Sequence, residues 1–209
     1  MEKKNHWELV YQNKDFKDVS WFQDVPKTSI DFLESLHLSK SAKIIDIGGG
    51  ESRFVNYLIE HGFENITVLD ISATAIEKKK QELGAKISRK IDWIVSDIVD
   101  FQPVEQYDFW HDRATFHFLT DAKDVEKYIE TVRQFVAPEG ALILSTFTEN
   151  GPTKCSGLPI QQYSEQTLSA RVEAFFTKIK CVIVDHITPF ETVQNFIFCS
   201  FKRNLIQHN

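Results

Sequence analysis

The chain has 209 residues, with 24 Lys and Arg against 30 Asp and Glu for a formal net charge of −6, and 42% of it is hydrophobic. That length suits one domain with a substantial core, and only 8 Gly and 6 Pro exclude a collagen-like or low-complexity chain. An acidic balance with no basic cluster beyond Lys78-Lys79-Lys80 argues against nucleic acid as a partner, because neutralising phosphates needs a basic face.

In chain order, a helix over 28–38 follows Pro26 and places Ile30, Leu33 and Leu36 on one face. The first strand is 43–47, followed by Gly48-Gly49-Gly50. A second helix carries Phe54, Val55, Leu58 and Ile59 and stops at Gly62, a natural left-handed cap. A strand over 66–71, a helix over 73–83 closed by Gly84, and a strand over 91–95 continue the alternation, and Pro103 precedes a fourth strand at 107–111. Asp121 caps the next helix, whose stripe is Val125, Tyr128, Ile129, Val132 and Val136. A turn at Pro138-Glu139-Gly140 then leads to a strand over 141–147.

After a polar loop, Ser164 caps a helix reaching Phe176. Strands 180–185 and 195–201 then follow with too short a link for a crossover helix, so they are antiparallel neighbours. Strands alternating with helices in this way make a parallel sheet covered on both faces. No run approaches the roughly eighteen apolar residues of a membrane span, and no apolar signal region follows the amino terminus, so a cytoplasmic protein without membrane contact is expected. Cys155, Cys181 and Cys199 are too few and too scattered for a disulfide framework or a zinc-ligand spacing. Reduced thiols and no metal are expected.

Asp46-Ile47-Gly48-Gly49-Gly50-Glu51-Ser52-Arg53 lies between a strand and a helix, where a glycine turn lets a ligand approach backbone amides. It is not the dinucleotide fingerprint: counting from Gly48, the third glycine of G-x-G-x-x-G falls on Arg53, so nicotinamide cofactors are disfavoured. Asp70 ends the second strand, where a carboxylate can accept two hydrogen bonds from a ribose. Asp97 follows the third strand, placed to take the exocyclic amine of an adenine while Ile98 packs on the ring. Taken singly, each acid also suits a helix cap or a strand end. Their order at successive strand ends is the informative feature.

With the terminal antiparallel pair, this series resembles the class I S-adenosylmethionine-dependent methyltransferases over nearly the whole chain. The resemblance implies a Rossmann-like α/β fold: a doubly wound, seven-stranded, mostly parallel sheet with an antiparallel C-terminal strand pair and helices on both faces. It assigns Asp46, Gly48 and Gly50 to the methionine part of the cofactor, Asp70 to the ribose and Asp97 to the adenine, with Gly49, Arg53, Ile71 and Ile98 as further cofactor contacts. Ser52 stands where the family often has a third glycine. One domain over 1–209 is expected, with a core over 26–209 and an aromatic arm or lid over 1–25 carrying Trp7, Tyr11, Trp21 and Phe22. Trp21 either closes over the cofactor or packs on the sheet.

The stretch Trp110-His111-Asp112-Arg113-Ala114-Thr115-Phe116-His117 follows the fourth strand, the place for chemistry in such sheets. It resembles a bacterial branch of small methyltransferases, and in part the strand-four motif of elongation-factor lysine methyltransferases. His111 and His117 are candidate general bases, His111 also touching the cofactor; either is alternatively structural. Asp112, Arg113 and Cys155 are candidate acceptor contacts, Cys155 being otherwise a small buried hydrophobe. The expected activity is methyl transfer from S-adenosylmethionine to a small molecule by a monomer or weak homodimer. Two rivals are a protein-lysine methyltransferase and a non-catalytic cofactor-binding module.

Overall fold

The computed structural model describes residues 2–205, so the outermost residues of the expected 1–209 domain lie outside it. The chain forms two compact units, Met1–Phe101 with Ile187–Thr192, and Gln102–His186 with Val193–Asn209. In the first unit, α1 (Glu2–Asn13) and a 3-10 turn (Phe16–Asp18) precede α2 (Lys27–Ser35), β1 (Lys43–Ile47), α3 (Phe54–Glu60), β2 (Asn65–Asp70), α4 (Ala73–Leu83), α5 (Ala85–Ser88) and β3 (Ile91–Val95). β2 runs parallel to β1 on one side and β3 on the other. In β1, Ile44, Ile45, Asp46 and Ile47 are all buried, the continuous pattern of a strand covered on both faces. Gly62 and Gly84 close α3 and α4 at φ 77 and φ 75, as their positions imply.

α1 has no counterpart among the sequence-derived elements. Only Tyr11 of its 12 residues is buried, so it has no apolar stripe to read. Polar contacts tie it to α4: Lys78 Nζ donates to the carbonyls of Tyr11 (2.5 Å) and Lys14 (3.1 Å), and Glu8 binds the start of α4.

The second unit contains β4 (Tyr107–Arg113), a 3-10 turn (Phe116–Phe118), α6 (Ala122–Phe135), β5 (Val136–Phe147), the short strands β6 (Lys154–Cys155) and β7 (Leu158–Pro159), α7 (Glu165–Val172), β8 (Phe176–Ile187) and β9 (Val193–Arg203). β4 and β5 are parallel, and β9 is antiparallel to β5 with Leu144 opposite Cys199. β5 starts earlier than expected. Pro138-Glu139-Gly140 is not a turn before the strand but an excursion within it, because pairing jumps from Tyr107↔Val136 to Phe109↔Ala141 with Glu139 at φ 65. α7, capped by Ser164 as expected, ends at Val172, and Phe176 opens a β8 longer than its apolar run.

The main strands make one seven-stranded sheet in the order β3-β2-β1-β4-β5-β9-β8, with β6 and β7 as a separate pair. This is the mostly parallel, Rossmann-like sheet with a C-terminal antiparallel pair that the sequence implied. Among the described residues, no helix is long and apolar enough to cross a membrane. The expectation of three reduced thiols is corrected: Cys181 and Cys199 form a disulfide. The 188–192 turn folds β8 back on β9, which brings two cysteines 18 residues apart in sequence to a Cα separation of 4.1 Å. Cys155 lies outside the bridge and is buried.

One buried polar knot organises the second unit. The Trp110 indole N–H donates to the Tyr128 hydroxyl oxygen (3.1 Å), and that hydroxyl donates to Asp112 Oδ2 (2.8 Å). Asp112 Oδ1 accepts from the amides of Thr115 (2.9 Å) and Phe116 (3.0 Å), fixing the turn after β4. Burial raises the Asp112 carboxyl to about 6, against the hydrogen bonds that favour its ionised form. Removing one of those donors by Tyr128→Phe should cost about 1.5–3 kcal/mol where Asp112 is ionised, the usual range for a hydrogen bond to a charged group. The loss should shrink as the pH falls through about 6 and the carboxyl becomes neutral. Urea denaturation of both proteins above and below that pH checks it.

Candidate active site

The first unit assembles the glycine turn and the acids of β1 and β2. The N–H groups of Gly48 (2.7 Å) and Gly49 (3.2 Å) donate to the Leu69 carbonyl, tying the turn to β2, and Gly48 has φ 68. A Cβ on Gly49 would lie 2.4 Å from Asp46 Oδ2. On Gly50 it would lie 2.6 Å from Ala75 Cβ and 2.7 Å from Asp70 Oδ2. Glycine is needed at both positions because carboxylates crowd the backbone, and the result is a cradle any side chain would fill.

Asp70, 3% exposed, accepts from the Ser72 amide at Oδ1 (2.8 Å) and from the Gly50 amide at Oδ2 (3.0 Å). Each oxygen keeps a second lone pair, which is what two vicinal hydroxyls require. Burial raises this carboxyl to about 6; the two amide hydrogen bonds oppose the rise, and the Asp46 and Glu8 carboxylates add to it. The Ser96 amide donates to the Asp70 carbonyl (3.0 Å), which brings the loop carrying Asp97 to the end of β2. Asp97 is half-buried with Oδ1 accepting from the Val99 amide (3.2 Å), Ile98 is buried, and Ile71 is half-buried beside Asp70.

Arg53 and Trp21 sit differently. The Arg53 guanidinium pairs with Glu82 (3.2 Å) and lies 5.7 Å from the ring centre of Phe16, so it is engaged by α4 and the arm. Trp21 packs edge-on against Trp7 (5.7 Å) and Tyr11 (6.2 Å) inside the aromatic arm. The site residue that sequence reading missed is Glu8. Nothing in its own neighbourhood marks it; only the unfilled amides at the start of α4 could have asked for a distant acceptor.

In the second unit, both Asp112 oxygens are taken by the turn and by Tyr128, which makes this acid a scaffold for the loop. Arg113 lies 5.3 Å from the centre of the Phe196 ring. His111 is buried with its ring parallel to Phe109 at 6.2 Å. His117 is fully buried against Phe147 (4.8 Å); its Nδ1 accepts from the Phe147 amide at 3.4 Å and its Nε2 has no partner. Burial, with Arg113 nearby, lowers this imidazole to about 3, so it is uncharged at neutral pH. Cys155 is buried in β6. Among the described residues, no group of three or more His, Cys, Asp or Glu side chains is placed to hold a metal ion.

Residues 45–142, which contain the cradle and the acids after β2 and β3, match a family model described as a methyltransferase domain. Over that segment the chain is similar to the class I S-adenosylmethionine-dependent methyltransferases. It is 28% identical over 157 residues to EEF1A lysine methyltransferase 2 of Danio rerio, covering 68% of this chain and 67% of that protein. It is 31% identical over 105 residues to malonyl-[acyl-carrier protein] O-methyltransferase 2 of Ilyobacter polytropus, covering 50% of this chain but 39% of that one. The chain thus spans two thirds of the first relative's length and well under half of the second's.

Among solved structures, 1,6-didemethyltoxoflavin-N1-methyltransferase of Burkholderia thailandensis, with 1,6-didemethyltoxoflavin and S-adenosylhomocysteine bound, shares the fold at a TM-score of 0.75 and 16% identity, covering 98% of this chain and 89% of that one. The N-methyltransferase NodS of Bradyrhizobium japonicum WM9, with S-adenosylhomocysteine bound, does so at 0.68 and 18%, covering 94% and 97%. The cofactor of the family is S-adenosylmethionine, and the cradle at Gly49 and Gly50 with its two buried acids fits it.

The ionised Asp70 is the better acceptor, so affinity for S-adenosylhomocysteine should fall as the pH drops through about 6. Asp70→Ala should weaken binding by about 1.5–3 kcal/mol and flatten that dependence. Gly50→Ala should weaken binding as well, by pushing the Asp70 carboxylate aside, whereas Gly62→Ala, at a positive φ with open space around it, should lower stability alone. Titration calorimetry beside thermal melts separates these outcomes.

Proposed function

We propose that the protein transfers the methyl group of S-adenosylmethionine to a nucleophilic atom of a small molecule. The observation that carries the reading is the convergence of Asp46, Asp70 and the side-chain-free backbone of Gly49 and Gly50 in one buried cradle. The cofactor, when bound, supplies a methyl group already attached to a sulfonium leaving group, so the protein's work is alignment and exclusion of water. Asp46 with Gly48 and Gly50 holds the methionine part, Asp70 the ribose, and Asp97 with Ile98 the adenine; Gly49, Ile71 and the backbone at Arg53 border the cofactor. Carboxylates suit a cationic ligand.

An acceptor that must lose a proton gives it to His111, which also borders the cofactor. His117, held uncharged by burial, is a poor proton acceptor, and its unpartnered Nε2 suits a hydrogen bond to the acceptor. Arg113 and Cys155 line the acceptor side with Asp112, which also sets the turn that follows β4. Trp21 covers the cofactor as part of the arm, residues 1–25, over a core of 26–209 in a single catalytic domain.

What supports a small acceptor is the 1,6-didemethyltoxoflavin bound in one neighbour of this fold and the O-methyltransferase among the relatives. A protein-lysine acceptor is the second reading, favoured by the match to EEF1A lysine methyltransferase 2. The protein works as a monomer or weak homodimer in the cytosol, without nucleic acid. The Cys181–Cys199 bridge is the one feature that speaks for an oxidising compartment.

Incubating the purified protein with methyl-labelled S-adenosylmethionine and a cell extract, followed by mass spectrometry, tests the reading. Label in small molecules is the expected result. Label in one protein would replace it with the lysine reading, and cofactor binding without label anywhere would leave a binding module.

A further inference from the structure

The first turn of a helix presents amides with no partner inside the helix, and in α4 these belong to Ala73, Thr74 and Ala75. The N-cap Ser72 hydroxyl accepts from Ala75 (3.2 Å). The other two amides are taken by a residue of the arm: Glu8 Oε1 accepts from Ala73 (2.8 Å) and Oε2 from Thr74 (3.0 Å). Oε2 also accepts from the Ser72 hydroxyl (2.8 Å), which turns that hydroxyl's lone pairs toward Ala75. Burial raises the Glu8 carboxyl, but the hydrogen bonds from Thr74, Ser72 and Ala73 outweigh it and hold it at about 2, so this anchor is an anion at any physiological pH.

Ser72 is the residue at which this anchor meets the cradle. It is 0% exposed, and its own amide is the donor that holds Asp70 Oδ1. The contacts therefore form one chain: Glu8 fixes Ser72, Ser72 fixes one oxygen of Asp70, and Gly50 fixes the other. We propose that Glu8 is a positioning residue for the cofactor, and that docking of the N-terminal arm on α4 completes the ribose-binding end of the site. The inference rests on the reading of Asp70 as the ribose acceptor and adds a residue to it.

The test compares affinity for S-adenosylhomocysteine with affinity for its 2′,3′-dideoxy analogue, since the ratio of the two isolates the ribose contacts. Wild-type protein is expected to favour the natural ligand by about tenfold or more, as a hydrogen-bonded carboxylate would require. Glu8→Ala should bring the ratio to within about twofold of unity, and Glu8→Gln, which keeps one acceptor oxygen, should restore part of it. Lys78→Ala removes the contacts to Tyr11 and Lys14 but leaves those of Glu8 with Ser72, Ala73 and Thr74, so the arm stays docked through Glu8 and the ratio should be unchanged.

A structural role alone would weaken both ligands equally, so an unaltered ratio in a folded Glu8→Ala protein overturns the proposal. A wild-type ratio near unity would remove the ribose role of Asp70 and this inference with it. Failure of the wild-type protein to bind either ligand would instead overturn the cofactor assignment on which both stand.

Discussion

Two carboxylates, those of Asp46 and Asp70, are buried beside a backbone turn that has no room for side chains, and the local architecture follows from keeping them there. Removing ionised groups from water costs several kcal/mol unless donors replace the lost hydration. For Asp70 the donors are the amides of Gly50 and Ser72. The amides can reach the carboxylate only because Gly50 has no Cβ and because Ser72 follows β2 with extended backbone at ψ 118 before α4 begins. Parallel pairing of β1 with β2 sets both acids at one end of the two strands.

The second unit meets the same physical problem with a different answer. Asp112 is as deeply buried as Asp70, yet its oxygens are satisfied by a tyrosine hydroxyl and two amides of its own loop. One buried acid keeps lone pairs open for a ligand; the other closes a turn. The surroundings separate their roles, although both are Asp residues at or near the end of a strand and both are held near 6.

That difference also sets what the sequence could disclose. The β1 acid, the glycine turn, Asp70 and Asp97 are legible as candidates because strand ends are marked by apolar runs and the acids stand on them or just beyond. Asp112 occupies an equally marked place, but its partner Tyr128 lies on the core stripe of α6, and a stripe says nothing of where a hydroxyl points. Glu8 was invisible for the converse reason: α1 has one buried residue, and the amides it serves are more than 60 residues away. The disulfide was hidden too, since pairing Cys181 with Cys199 depends on the register of the last hairpin and not on spacing alone. In β5, the Pro138-Glu139-Gly140 signal reads as a turn before the strand, whereas a strand paired with β4 before and after such a segment can absorb it and continue.

β8 is the last strand of the sheet order and has a ladder partner on one side only, with Ile179 and Ile183 exposed on it at 51% and 64%. An edge strand of that kind normally frays before its neighbour, exposing amides and apolar side chains for pairing with other chains. The bond from Cys181 to Cys199 joins that outer strand to β9, which is itself laddered to β5. With the link intact, the part of β8 around Cys181 cannot peel away without β9, so the amides there that are laddered to β9 should exchange only as β9 opens. Reduction of the bridge returns the outer strand to its own, weaker protection.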